Sequence, residues 1–131
     1  MKLSKREDYT FYLATELARS YGIKRLSLTE IAESSGISLF FLKQLIRPLV
    51  KNNFVESKEG MNGGYVLAKN PKDITMYQIF AAINALPLLT SCCEGKITCE
   101  RKKTCTPGKV FRDLNSLFIE KLKSTDLSDL I

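Results

Sequence analysis

The sequence predicts a mainly α fold: a winged helix-turn-helix with a two-stranded wing, followed by a long C-terminal helix suited to dimerisation. Three observations predict it. The first 52 residues carry three amphipathic segments, each opened by a serine that can cap a helix. Two short β-prone runs then flank a loop holding Gly60, Gly63 and Gly64. Last, a cysteine-bearing loop leads into one long amphipathic segment after Pro107. The reading divides the chain into a winged helix-turn-helix over 1–74 and a loop-and-dimerisation-helix region over 75–131.

Ser4-Lys5-Arg6-Glu7 has the S-x-x-E form of a capping box, so a helix starts there. Tyr9, Tyr12, Leu13, Leu17 and Tyr21 give it one apolar face, and Gly22 ends it. Ser27-Leu28-Thr29-Glu30 repeats the box and opens a short helix that runs to Gly36. Ser38 caps a third helix with a buried stripe of Leu42, Leu45, Ile46 and Leu49. Pro48 inside it removes one backbone bond and is expected to kink or tighten the last turn. Phe54–Ser57 and Tyr65–Ala68 read as strands around a seven-residue loop. Thr75 to Gln78 is a further capping box, for a helix region ended by Pro87. Residues 88–106 read as a loop. Val110, Phe111, Leu114, Leu117, Phe118 and Leu122 line the final helix, after which Thr125 is expected to cap a short terminal turn.

The 131 residues suffice for one modest core, and a second lobe would need support from a partner, a metal or a second subunit. The net charge of +6 favours phosphate-bearing partners. No apolar run approaches the ~20 residues that span a bilayer, and the N-terminus lacks a secretory pattern, so a cytoplasmic location is expected, without a membrane. The chain has no histidine, which excludes serine–histidine and cysteine–histidine catalysis. No enzymatic role and no small-molecule substrate are expected.

In a helix-turn-helix the third helix turns its polar face to the major groove. Here that face carries Ser38, Phe40, Lys43, Gln44, Arg47 and Lys51, including donors matched to phosphates and purine edges. The wing adds Lys58, Asn62, Gly63 and Gly64 as candidate contacts to a double-stranded DNA operator, whereas Glu59 would repel phosphate.

The four cysteines, at 92, 93, 99 and 105, fall within fourteen residues. In a reducing compartment such clustering favours metal or redox chemistry over structural disulfides. Cys93, Cys99 and Cys105 form C-x5-C-x5-C. Six positions turn a helix through ~600° and separate strand residues by ~20 Å, so neither geometry gathers three sulfurs. A loop wrapped around a common object does, and Lys96, Arg101, Lys102 and Lys103 would offset thiolate charge. An iron–sulfur cluster, [4Fe–4S] or [2Fe–2S], is the leading reading. An all-thiolate zinc site including Cys92, and free thiols or a regulatory disulfide, are the alternatives.

Over essentially its full length the chain resembles the bacterial iron–sulfur cluster regulators of the IscR and NsrR type. The resemblance runs through Leu28-Thr29-Glu30-Ile31-Ala32, Gly36-Ile37-Ser38, Phe41-Leu42-Lys43-Gln44-Leu45, Gly60-Met61-Asn62-Gly63-Gly64-Tyr65 and the cysteine spacing. It implies a homodimer joined by the long C-terminal helices, and a transcriptional regulator, expected to be a repressor, that senses nitric oxide, redox state or iron–sulfur supply. It also implies a fourth cluster ligand. IscR-type members carry a histidine where this chain has Gly108. NsrR-type members use an N-terminal aspartate, and Asp8 stands at the matching place, with Glu7 and Cys92 as alternatives.

Overall fold

The computed structural model describes residues 2–94 and 99–131. Five α-helices and one antiparallel hairpin follow the winged-helix order: α1 Lys5–Ser20, α2 Leu28–Ser35, α3 Leu39–Lys51, β1 Val55–Lys58, β2 Gly64–Leu67, α4 Met76–Ala82 and α5 Thr106–Ser124. The capping residues act as their spacing requires. Ser27 Oγ accepts from the Glu30 N–H while the Glu30 carboxylate accepts from the Ser27 N–H. Ser38 Oγ accepts from the Phe41 N–H, and Thr75 Oγ1 from the Gln78 N–H. Gly36 takes the left-handed conformation, φ 75°, that ends α2 and opens the turn into α3. Helix α3 continues past Pro48 to Lys51.

Leu13, Leu17, Leu42, Leu49, Ile74, Ile79 and Leu127 pack into one core and are almost fully buried. Each such side chain contributes ~1.5–3 kcal/mol of burial. Tyr9 meets Phe41 edge-on, with ring centres 5.8 Å apart, and Phe11 meets Phe80 at 4.7 Å. The hairpin pairs Val55 with Leu67 and Lys58 with Gly64. Leu26 bridges to Tyr65, adding a third segment beside the wing.

Several boundaries depart from the sequence reading. Strand β1 begins one residue late because the Phe54 N–H donates to the Leu49 carbonyl and closes the end of α3. Helix α4 stops at Ala82 rather than near Pro87: Asn84 adopts φ 54° and the Ala85 N–H donates back to the Phe80 carbonyl. A 3₁₀ turn at Ser91–Glu94 interrupts the cysteine loop. The terminal turn Leu127–Leu130 is capped by Asp126, whose carboxylate accepts from the Ser128 N–H, and not by Thr125. That turn folds back onto the core. The Leu127 N–H donates to the Ile74 carbonyl and the Met76 N–H to the Thr125 carbonyl. Among the described residues no helix is long and apolar enough to cross a membrane.

Candidate nucleic-acid interface and cysteine cluster

A groove runs between α3 and the wing, lined by Thr29, Lys43, Arg47, Lys58, Glu59 and Gly64 among others. The structure thus brings together Lys43 and Arg47 of α3, Lys58 of β1 and Gly64 of β2, three separate elements. The helical spacing sets Phe40, Lys43, Gln44 and Arg47 along one exposed face of α3, with Ser38 exposed at its N-cap. Among the described residues the single ion pair joins Arg19 to Glu16, so Lys43, Arg47 and Lys58 make no direct ion pair there, although Glu59 shares their groove.

The wing loop is tight. Its Gly63 N–H donates to the Gly60 carbonyl. Gly64 takes φ 131°, and a Cβ there would stand 2.7 Å from the Leu26 carbonyl oxygen. The wing therefore lies against the backbone leading into α2, and Gly64 is needed for that approach. Asn62 and Gly63 sit apart from the α3 groove, in a hollow shared with Lys24, Arg25, Ser27, Glu30 and Met61. Two residues of this region escaped the sequence reading. Met61 is fully exposed at the wing tip, and Arg25 Nη1 is buried without a hydrogen-bond partner among the described residues. A large apolar residue in a glycine loop was the available signal for Met61. No pattern marked Arg25.

All four cysteines are half-buried and free. The Thr90 hydroxyl lies 2.8 Å from Cys92 Sγ and 3.4 Å from Cys93 Sγ. Arg112 Nη1 approaches Cys92 Sγ at 4.0 Å. The Thr90 hydroxyl, followed by Arg112, holds the Cys92 thiol below its usual pKa. Cys105 is the N-cap of α5. Gly108 is buried one turn on, and a Cβ there would stand 3.1 Å from Cys105 Sγ and 3.2 Å from Arg112 Nη1. A side chain at this position would thus press on Cys105 Sγ and on the end of the Arg112 side chain, each of which would have to give by a few tenths of an ångström.

The donor chemistry fits an iron–sulfur cluster: soft thiols, none spent in a disulfide, with a cation among them. The proposed ligands are not gathered, however. Among the described residues no group of three or more cysteines and carboxylates converges. Asp8 lies exposed in the first turn of α1, its N–H bonded to the Ser4 carbonyl. Glu7 is engaged by Ser4, whose hydroxyl and N–H hold its carboxyl below the usual range. Lys96 lies outside the described residues.

A helix-turn-helix with a basic groove closed by a wing defines a winged-helix transcriptional regulator. The chain belongs to the Rrf2 family of iron-dependent transcriptional regulators, whose model matches residues 3–131. It is 30% identical over 131 residues to the HTH-type transcriptional regulator IscR of Pectobacterium atrosepticum, covering 100% of this chain and 79% of the relative. Among solved structures, CymR, the global cysteine regulator of B. subtilis, matches with a TM-score of 0.84 at 28% identity, over 99% of this chain and 95% of that one. T. potens IscR matches with a TM-score of 0.79 at 29% identity, over 99% and 85% of the two chains. The IscR-type resemblance read from the sequence is borne out.

Proposed function

We propose that this chain is a homodimeric repressor whose affinity for a double-stranded DNA operator depends on an iron–sulfur cluster held in the 93–105 loop. The observation that carries the DNA half is the groove uniting Lys43, Arg47 and Lys58. Ser38, Phe40, Gln44, Asn62, Gly63 and Gly64 complete the proposed contact set. The cluster half rests on three free thiols at even spacing, in a chain of the iron-dependent family.

Cys93, Cys99 and Cys105 would hold the cluster, with Asp8 as the fourth ligand. When bound, the cluster supplies an iron centre responsive to nitric oxide, redox state or iron–sulfur supply. The chain's own residues carry the rest. Cys105 starts α5, so a restraint on its sulfur bears directly on that helix. Arg112 offsets thiolate charge beside Cys92. Helix α5 presents Val110, Leu114 and Leu117 outward, the face proposed to meet a second copy and to set the spacing of two DNA-reading helices.

Anaerobically purified protein tests this reading. A brown protein with iron and acid-labile sulfide is expected. Cys93→Ala, Cys99→Ala and Cys105→Ala each lose the intact cluster, Asp8→Ala assembles it but sheds it faster, and Cys92→Ala is nearly silent. Bleaching by Cys92→Ala, with Asp8→Ala unchanged, transfers the fourth position to Cys92. A second reading, a cluster-free regulator answering to thiol oxidation, is favoured by the Thr90–Cys92–Arg112 contacts and by the likeness to a cysteine regulator. Colourless anaerobic protein whose DNA affinity changes with thiol oxidation supports that one instead.

A further inference from the structure

The polar stripe of α3 contains one residue that is out of character. Phe40 is 73% exposed, on the first turn of the helix, in line with Lys43, Gln44 and Arg47 at three-, four- and seven-residue steps. Its neighbour Phe41 is put to structural use, packed edge-on against Tyr9. Phe40 makes no aromatic contact among the described residues, and folding leaves most of its side chain in water.

The surroundings specify what could cover it. A groove on another protein would ask for a contiguous apolar patch, and the exposed residues that follow Phe40 on this stripe, Lys43, Gln44 and Arg47, are all polar. A surface offering hydrogen-bond acceptors, interrupted by an isolated apolar group, matches the stripe better. The floor of the DNA major groove is such a surface. Guanine presents N7 and O6 acceptors to arginine and lysine, adenine an N7 acceptor and an N6 donor to glutamine, and thymine alone adds a methyl group. The first turn of a recognition helix is the part that reaches base edges.

We infer that Phe40 reads the 5-methyl group of a thymine in each half-site. The inference rests on α3 being the recognition helix and specifies what that helix recognises. It predicts operators with thymine at one fixed position beside the bases addressed by Lys43 and Gln44.

The test uses the full-length protein and duplexes it enriches from a random-sequence 30-base-pair pool. The tightest duplex is remade with deoxyuridine replacing each thymine in turn, which deletes the methyl and keeps the pairing. For the parent, uracil at one position per half-site weakens binding on the order of fourfold, the factor expected for one buried methyl group. Phe40→Ala binds the thymine duplex more weakly by a similar factor and is indifferent to uracil there, while Phe40→Leu retains part of the discrimination. Because the ring is exposed, these variants keep the parent's circular dichroism and melting. The inference is overturned if every uracil substitution is neutral for the parent. It is equally overturned if Phe40→Ala keeps the uracil penalty or binds like the parent, which would leave the ring for a protein partner. If the parent enriches no duplex at all, the recognition-helix reading fails, and this inference with it.

Discussion

Gly64 illustrates how a single missing side chain positions a wing. Its φ of 131° lies outside what L side chains adopt readily, and a methyl group there would meet the Leu26 carbonyl oxygen at 2.7 Å. Gly64→Ala is therefore expected to cost about 1–3 kcal/mol, the scale of local backbone strain, measured by urea unfolding. It should also weaken operator binding by displacing Lys58, its partner across the hairpin. Unchanged stability and affinity would show that the wing relaxes without consequence. On the helix side, Lys43→Ala and Arg47→Ala should each weaken operator binding by about 1–3 kcal/mol if they reach bases. A side chain that reaches only phosphate instead weakens operator and scrambled DNA alike and lowers the salt dependence. Titrations at several salt concentrations separate the two roles.

At the scale of elements, hydrogen bonds between distant segments decide what the helices can bear. Asn115 is buried on α5, and its Oδ1 accepts from the Leu89 N–H at 2.9 Å. Asn115→Ala leaves that N–H without its partner, so a loss of about 1–3 kcal/mol is expected in chemical unfolding. Asp126 caps the last turn, and the Ser128 hydroxyl and N–H hold its carboxyl below the usual range. Its contribution is fully present above the ordinary aspartate range and disappears as pH falls through the lowered folded value. Asp126→Ala should therefore melt below the parent at neutral pH and converge with it well below pH of about 4. A difference that persists in acid would mean the carboxylate is not the source. Helices α1 to α3 and the wing were legible because capping serines, apolar periodicity and glycines all mark the same boundaries. The end of α4 was not, since Asn84 turns the chain through a left-handed conformation that glycine more commonly signals. The α3 face was legible because three- and four-residue spacing fixes which side chains share a side. The relation of Gly108 to Arg112 was not, because it depends on how a long side chain folds across one helical turn.

For the whole molecule, the outward side of α5 is an unfinished feature. Val110, Phe111, Leu114, Leu117 and Phe118 are exposed, Leu117 by 62%, while only Leu122 of the stripe is buried. A second copy of the same helix is the proposed cover, by an isologous contact. Leu117→Glu places a charge in that seam and is expected to give monomers, read by sedimentation velocity, with far weaker operator binding because two half-sites are no longer held together. An intact dimer in this variant would move the interface elsewhere. The return of the C-terminal turn to the core has a further effect. Thr125 and Leu127 are bonded to Met76 and Ile74, so the far end of α5 is anchored in the same core as α3. Between that anchor and Cys105 the helix is a rod ~28 Å long. A displacement imposed at the cysteine end of such a rod would be passed along it, past the Asn115–Leu89 bond, to the body that carries the third helix, with no need for the loop before it to be stiff.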